Sequence, residues 1–130
     1  MIVKVKCWNN DLKMWDECAY PLFKGMNPCE IIGFQDNEGS DKLIEDGHSV
    51  LLYSGLKDSK AKELYEDDIC KSSIYEDELF IVKYSETSGQ WFLYLLQNGT
   101  VMNNVKSLNW ESAGHIERIG SKNENPELIK

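Results

Sequence analysis

The sequence predicts a mostly β protein, a small antiparallel barrel or sandwich, on three observations. Val3, Val5 and Cys7 alternate with Lys4 and Lys6, the period of two expected of a half-buried strand. Glu78 to Ser85 and Gln90 to Gln97, both rich in aromatic and branched residues, flank Glu86-Thr87-Ser88-Gly89 as the arms of a hairpin. Asn98-Gly99 follows as a second tight turn, of the kind that needs positive backbone angles.

The remaining elements follow from turn chemistry and apolar runs. Asn9-Asn10-Asp11 supplies turn residues after the first strand, so a hairpin into Lys13 to Glu17 is expected. Between Cys18 and Cys29, Pro21, Gly25 and Pro28 interrupt any regular pattern and predict a loop, with Glu30 to Gln35 a short strand after it. Asp36 to Asp41 is a polar turn. Ser49 to Ser54 contains Val50, Leu51, Leu52 and Tyr53, too continuously apolar to leave one face in water, and predicts a central strand. Ser59 to Glu66 has good helix formers behind a serine suited to an N-cap, but eight residues are too few to hold a helix without tertiary support. Val101 to Ala113 reads as a short helix or a loop, and His115 to Ile119 as a strand. Within the polar tail Ser121 to Lys130, Pro126 and Leu128 are the residues suited to docking. The run Glu66 to Ile69, E-x-D-I in form, resembles the strand that opens SH3-like barrels.

A length of 130 residues predicts one domain, here residues 1–120 with 121–130 as a tail docked on it. The net charge is −8, from 22 acidic and 14 basic residues. Arg118 is the single arginine. Phosphate recognition draws on arginine forks and clustered positive charge, so no direct nucleic-acid contact is expected. Without an apolar run of about 18 residues or a signal-peptide pattern, neither membrane insertion nor export is expected, which places the chain in the cytoplasm. The four cysteines, Cys7, Cys18, Cys29 and Cys70, contain no C-x-x-C pair. They are therefore expected to be free thiols without metal, Cys7 and Cys70 buried as small hydrophobes.

Catalytic chemistry finds little support. Glu66-Asp67-Asp68 and Glu76-Asp77-Glu78 are clustered carboxylates that bind divalent metal or raise one another's pKa when they converge. Neighbours in a strand point to opposite faces, so solvated turns are expected instead. Asp36 to Gly47 lacks the mid-loop glycine and final glutamate of a calcium-binding loop. His48 and His115 are the only candidate bases. Neither lies in a nucleophile motif, and they are read as a turn or surface residue and an edge-strand residue. Gly25, Gly33 and Gly39 form no phosphate-cradling loop. No catalytic residue, cofactor or metal ligand is assigned. Trp8, Trp15, Trp91 and Trp110 are expected in the core, and an exposed one among them would mark an interface.

Leu51 to Lys71, LLYSGLKDSKAKELYEDDICK, carries the strongest pattern. It resembles the signature of the YopX family of phages and prophages of Gram-positive bacteria, versions of Y-T-G-L-K-D-K-N-G-K-E-I-Y-E-G-D-I-V. Met1 to Glu17 is similar to the family opening, a lysine-flanked strand ending in a tryptophan. Gly114 to Leu128 is similar to its ending, usually a G-N-I-Y-E-N-P-E-L string. About half the chain is covered, in order. The resemblance implies that Ser59 to Glu66 is a turn, because relatives place Asn-Gly at Lys60-Ala61. Here Ala61 replaces that glycine, and Asp67 replaces the glycine of E-G-D. The matching positions Trp8, Tyr53, Gly55, Leu56, Asp58, Tyr65, Asp68, Ile69, Asn125 and Pro126 are read as structural. Gly55 permits a bend, while Lys57, Asp58 and Asp68 bond locally to close the turn.

The resemblance brings no established activity with it. The expected role is that of a non-catalytic phage accessory protein that self-associates, with a phage or host protein as a further partner. An acidic modulator or decoy of a nucleic-acid-binding protein is the alternative. A metal-dependent hydrolase using clustered carboxylates is the second alternative.

Overall fold

The computed structural model describes residues 4–24, 31–74, 78–85 and 87–129. The protein is mostly β, with three antiparallel sheets, one a curled half-barrel. Contacts divide the chain into two compact units, Met1–Tyr53 and Ser54–Lys130.

In the first unit, β1 (Val5–Asn9) and β2 (Met14–Asp16) form the expected hairpin, with Cys7 opposite Asp16 and Trp8 opposite Trp15. The Asn9 side chain closes it by accepting hydrogen bonds from the amides of Asp11 and Leu12, each at 2.9 Å. Cys7 and Trp8 are buried, and the Trp15 ring meets Trp8 edge-on at 4.8 Å. The other flank of β1 pairs with β6 (His48–Lys57), in the register Val5 opposite Leu52. This is the continuously apolar strand expected at Ser49 to Ser54, and it carries the chain into the second unit.

A separate sheet of order β3-β4-β5 consists of β3 (Tyr20–Phe23), β4 (Ile31–Gln35) and β5 (Asp41–Leu43). The loop expected from Cys18 onward is thus corrected in part. Pro21 lies within β3, which is an edge strand, where a missing amide costs no central ladder bond. Gly33 is needed in β4, since a Cβ there would lie 2.2 Å from the Lys42 carbonyl oxygen.

The second unit is built on a five-stranded sheet of order β11-β10-β9-β8-β12. A hairpin turn leads from β6 to its neighbour β7 (Glu63–Tyr65), and a tight turn at Glu66-Asp67 then passes the chain to β8 (Asp68–Ser72) of the five-stranded sheet. No helix forms over Ser59 to Glu66. The aromatic hairpin is β9 (Leu79–Ser85) and β10 (Gln90–Gln97), and Asn98-Gly99 turns into β11 (Thr100–Ser107) with φ of 52° and 80°. A four-residue helix α1 (Trp110–Ala113), capped by Asn109, precedes β12 (Ile116–Ser121). The segment Val101 to Ala113 is therefore mostly strand. β11 hides no face well enough to alternate, which is why its pattern is unreadable as sequence.

Both sheet faces are apolar. Cys70, Phe80, Val82, Leu93 and Ile116 pack with Leu64, Leu108 and Ala113 on one side. Ile69, Ile81 and Leu96 lie on the other, against Leu128 and Ile129 of the carboxy-terminal segment.

Candidate functional site

The signature acids converge on Arg118. Asp58 is 6% exposed, and its Oδ1 accepts the amides of Lys60 and Lys62, each at 2.8 Å, closing the turn between β6 and β7. Its Oδ2 accepts the amide of Arg118 at 2.7 Å, sixty residues along the chain. Asp68 is fully buried; its Oδ2 accepts the Tyr65 amide at 2.8 Å and its Oδ1 lies 3.1 Å from Arg118 Nε. The local closure expected of Asp58 and Asp68 is present, and each acid also reaches β12.

Glu124 pairs with the outer nitrogen of the same guanidinium and accepts from Ser121 Oγ at 3.1 Å. Asn125 Oδ1 accepts from the Ser121 amide, and a Cβ at Gly120 would lie 2.1 Å from that oxygen, so a larger residue there would displace the Asn125 side chain from this bond. One extra residue in β12, Ile119, makes a bulge opposite β8 between Arg118 and Gly120. Such a bulge re-aims the side chains beside it. Burial works against the guanidinium's charge, but Asp68 foremost, with Glu124, more than offsets it and raises the pKa of Arg118.

With its carboxylate oxygens held by backbone amides and a guanidinium, this cluster acts as a clasp tying two turns and the carboxy-terminal segment to β12. Of the acids in Glu66-Asp67-Asp68, Asp67 turns to Lys83 and Asp68 to Arg118, so they do not share a site. Cys70, beside them, is a fully buried thiol. Burial chiefly, then the charges of Asp68 and Asp58, push its thiol up, against a smaller opposite pull from Arg118. The Cys7 thiol is likewise raised, by burial first and then by Cys18 and Asp16. Cys7, Cys18 and Cys70 are free thiols, and Cys29 lies outside the described residues.

Other expected positions are scattered. Trp8 is buried, Gly55 has φ of 85°, and Tyr65 and Ile69 are buried beside the clasp. Leu56 packs on the main core, Tyr53 lies under the Lys4 ammonium at 5.3 Å, and Pro126 opens the last short turn. His48 corrects the expectation of a turn or surface residue. It begins β6 half-buried, 3.2 Å from Asp16 and edge-on to Phe34, because β1 and β2 carry Asp16 to its side. His115 is exposed in the turn before β12 rather than in a strand. Glu76 and Asp77 lie outside the described residues. Among the described residues, no group of three or more His, Cys, Asp or Glu is placed to hold a metal, and no helix is long and apolar enough to cross a membrane.

Sequence reasoning missed the exposure of β11 and of Trp110 in α1. Trp110 is 81% exposed, with Val101 and Val105 also exposed on β11. Pairing with Leu96 and Tyr94 puts both valines on one face. β11 ends its sheet and carries a single charge, Lys106, whose ammonium lies 5.2 Å from the Phe80 ring.

A β protein whose signature acids are bound up in a clasp, with an exposed Trp110 and with β11 the last strand of its sheet among the described residues, is the class that fold and side chains define. The chain belongs to the YopX family, whose model, described as YopX protein, matches residues 4–130. It is similar in fold to the crystal structure of protein EF1440 from Enterococcus faecalis. That likeness has a TM-score of 0.64 at 21% identity and covers 100% of this chain and 99% of the other. No curated protein matches the chain.

Proposed function

We propose that this is a non-catalytic interaction module that self-associates through β11 and Trp110, serving as a phage or prophage accessory protein in the host cytoplasm. The exposure of Trp110 carries this reading: an indole offers about 150–250 Å² of area, worth about 4–6 kcal/mol of burial at about 25 cal/mol per Å², and tryptophan is enriched among the residues that hold interfaces together. A second copy is the occupant that charge favours. In a chain of net charge −8, β11 has no acid, so two such edges meet without the repulsion that opposes contact elsewhere. Antiparallel pairing about Asn103 sets Val101 of one copy opposite Val105 of the other, on one face. We read the five-stranded sheet as an SH3-like barrel, because four strands in series with the fifth beside the first, after a one-turn helix, have that order.

Sedimentation velocity of Val105→Lys and Trp110→Ala tests the interface. Both variants are expected to sediment as monomers with melting temperatures close to wild type. Variants that stay assembled with the wild-type sedimentation coefficient refute this surface as the interface.

A further inference from the structure

A groove of about 590 Å³ opens between the start of β9, the β10–β11 turn and the last short turn of the chain. That volume lies within the range of ligand sites. Leu79, Leu96 and Leu128 are apolar residues of its lining, and Glu78 and Glu127 are the acids that line it. Glu78 Oε2 is shielded from solvent and has no hydrogen-bond partner. A shielded acceptor without a donor is unfavourable in any fold, and native proteins rarely keep one that nothing fills.

We propose that this groove binds an arginine side chain of a protein partner, its guanidinium on Glu78 and its stem along the leucines. An amphipathic cation is the occupant that fits. The leucines take methylene groups, and the shielded oxygen needs a donor that enters with little hydration to lose. Arginine meets both demands better than lysine, because its guanidinium is weakly hydrated and pairs with carboxylates through a planar fork. Glu127, whose Oε1 already accepts from Asn125 Nδ2 at 3.3 Å, adds charge to the lining. The site is independent of self-association and takes a different class of ligand from a second copy of β11.

Fluorescence polarisation with labelled acetyl-Leu-Arg-Leu-amide, and with the same peptide carrying neutral citrulline for arginine, tests the proposal. Wild type is expected to bind the arginine peptide and to bind the citrulline peptide at least about tenfold more weakly. Glu78→Gln is expected to lose about tenfold in affinity for the arginine peptide while keeping the wild-type circular dichroism spectrum, and Glu127→Gln to lose a smaller factor. Trp110→Ala should bind as wild type does, which separates this site from the self-association surface. Equal affinity for the two peptides, wild-type binding by Glu78→Gln, or no binding at about millimolar peptide each overturn it.

Discussion

Ala61→Gly is expected to stabilise the protein, against the usual direction of such a change. Ala61 closes the turn between β6 and β7 with φ of 62°, and its amide donates to the Asp58 carbonyl at 3.0 Å. A Cβ in left-handed backbone costs roughly 1–2 kcal/mol. Glycine removes that strain but gives the unfolded chain more freedom, a loss of about 0.5–1 kcal/mol. The net gain is about 0.5–1 kcal/mol, or roughly 2–4 °C in melting temperature for a chain of this size. Ala19→Gly is the control. Ala19 is exposed, is not among the residues with positive φ, and keeps its amide bonded to Gln35 at 2.8 Å, so it should lose about 0.5–1 kcal/mol. Urea unfolding followed by circular dichroism reads both. If Ala61→Gly lowers the midpoint as Ala19→Gly does, the left-handed turn is refuted. Asp67→Gly, at φ of 67°, should change little, since relief of strain is offset by loss of the Lys83 ion pair.

The clasp and the thiols give further expectations. Arg118→Ala leaves Asp68 buried without its cation and should cost about 3–5 kcal/mol in urea unfolding. Paired with Asp68→Asn, it should cost clearly less than the sum of the single changes, and strict additivity would dissolve the clasp. The raised thiols of Cys7 and Cys70 stay protonated in the folded state, while in the unfolded chain they lose protons above the ordinary value of 9.0. Their contribution is therefore full below pH 9.0 and falls as pH rises above it, by about 1.4 kcal/mol per pH unit for each thiol. Thermal melts above pH 9.0 should show that decline, and Cys70→Ala should make it shallower; an unchanged slope contradicts the burial of that thiol.

The strands that were legible as sequence were those with one face in the core. The alternation around Cys7 and the aromatic runs of β9 and β10 marked themselves, because buried positions there differ chemically from exposed ones. β3, β5 and β11 did not. Pro21 sits on an edge where its missing donor is harmless, β5 is three residues long, and β11 is exposed along nearly all its length. Within the signature, local spacing revealed that Asp58 and Asp68 close turns, but not that both acids meet Arg118. That meeting depends on a contact sixty residues away and on a bulge that no short-range pattern announces. A hint was present in composition, as the chain's single arginine stands beside the family-like ending. Trp110 looked like any core aromatic, since exposure is decided by which face of a one-turn helix meets the sheet.

The mass of the wild-type protein in solution tests the central claim most directly. Multi-angle light scattering between about 1 and 100 μM should report a discrete multiple of the chain mass at the upper concentrations, in keeping with an interface of roughly 1,000 Å² or more. A mass that stays at that of one chain throughout the range contradicts self-association through β11 and Trp110.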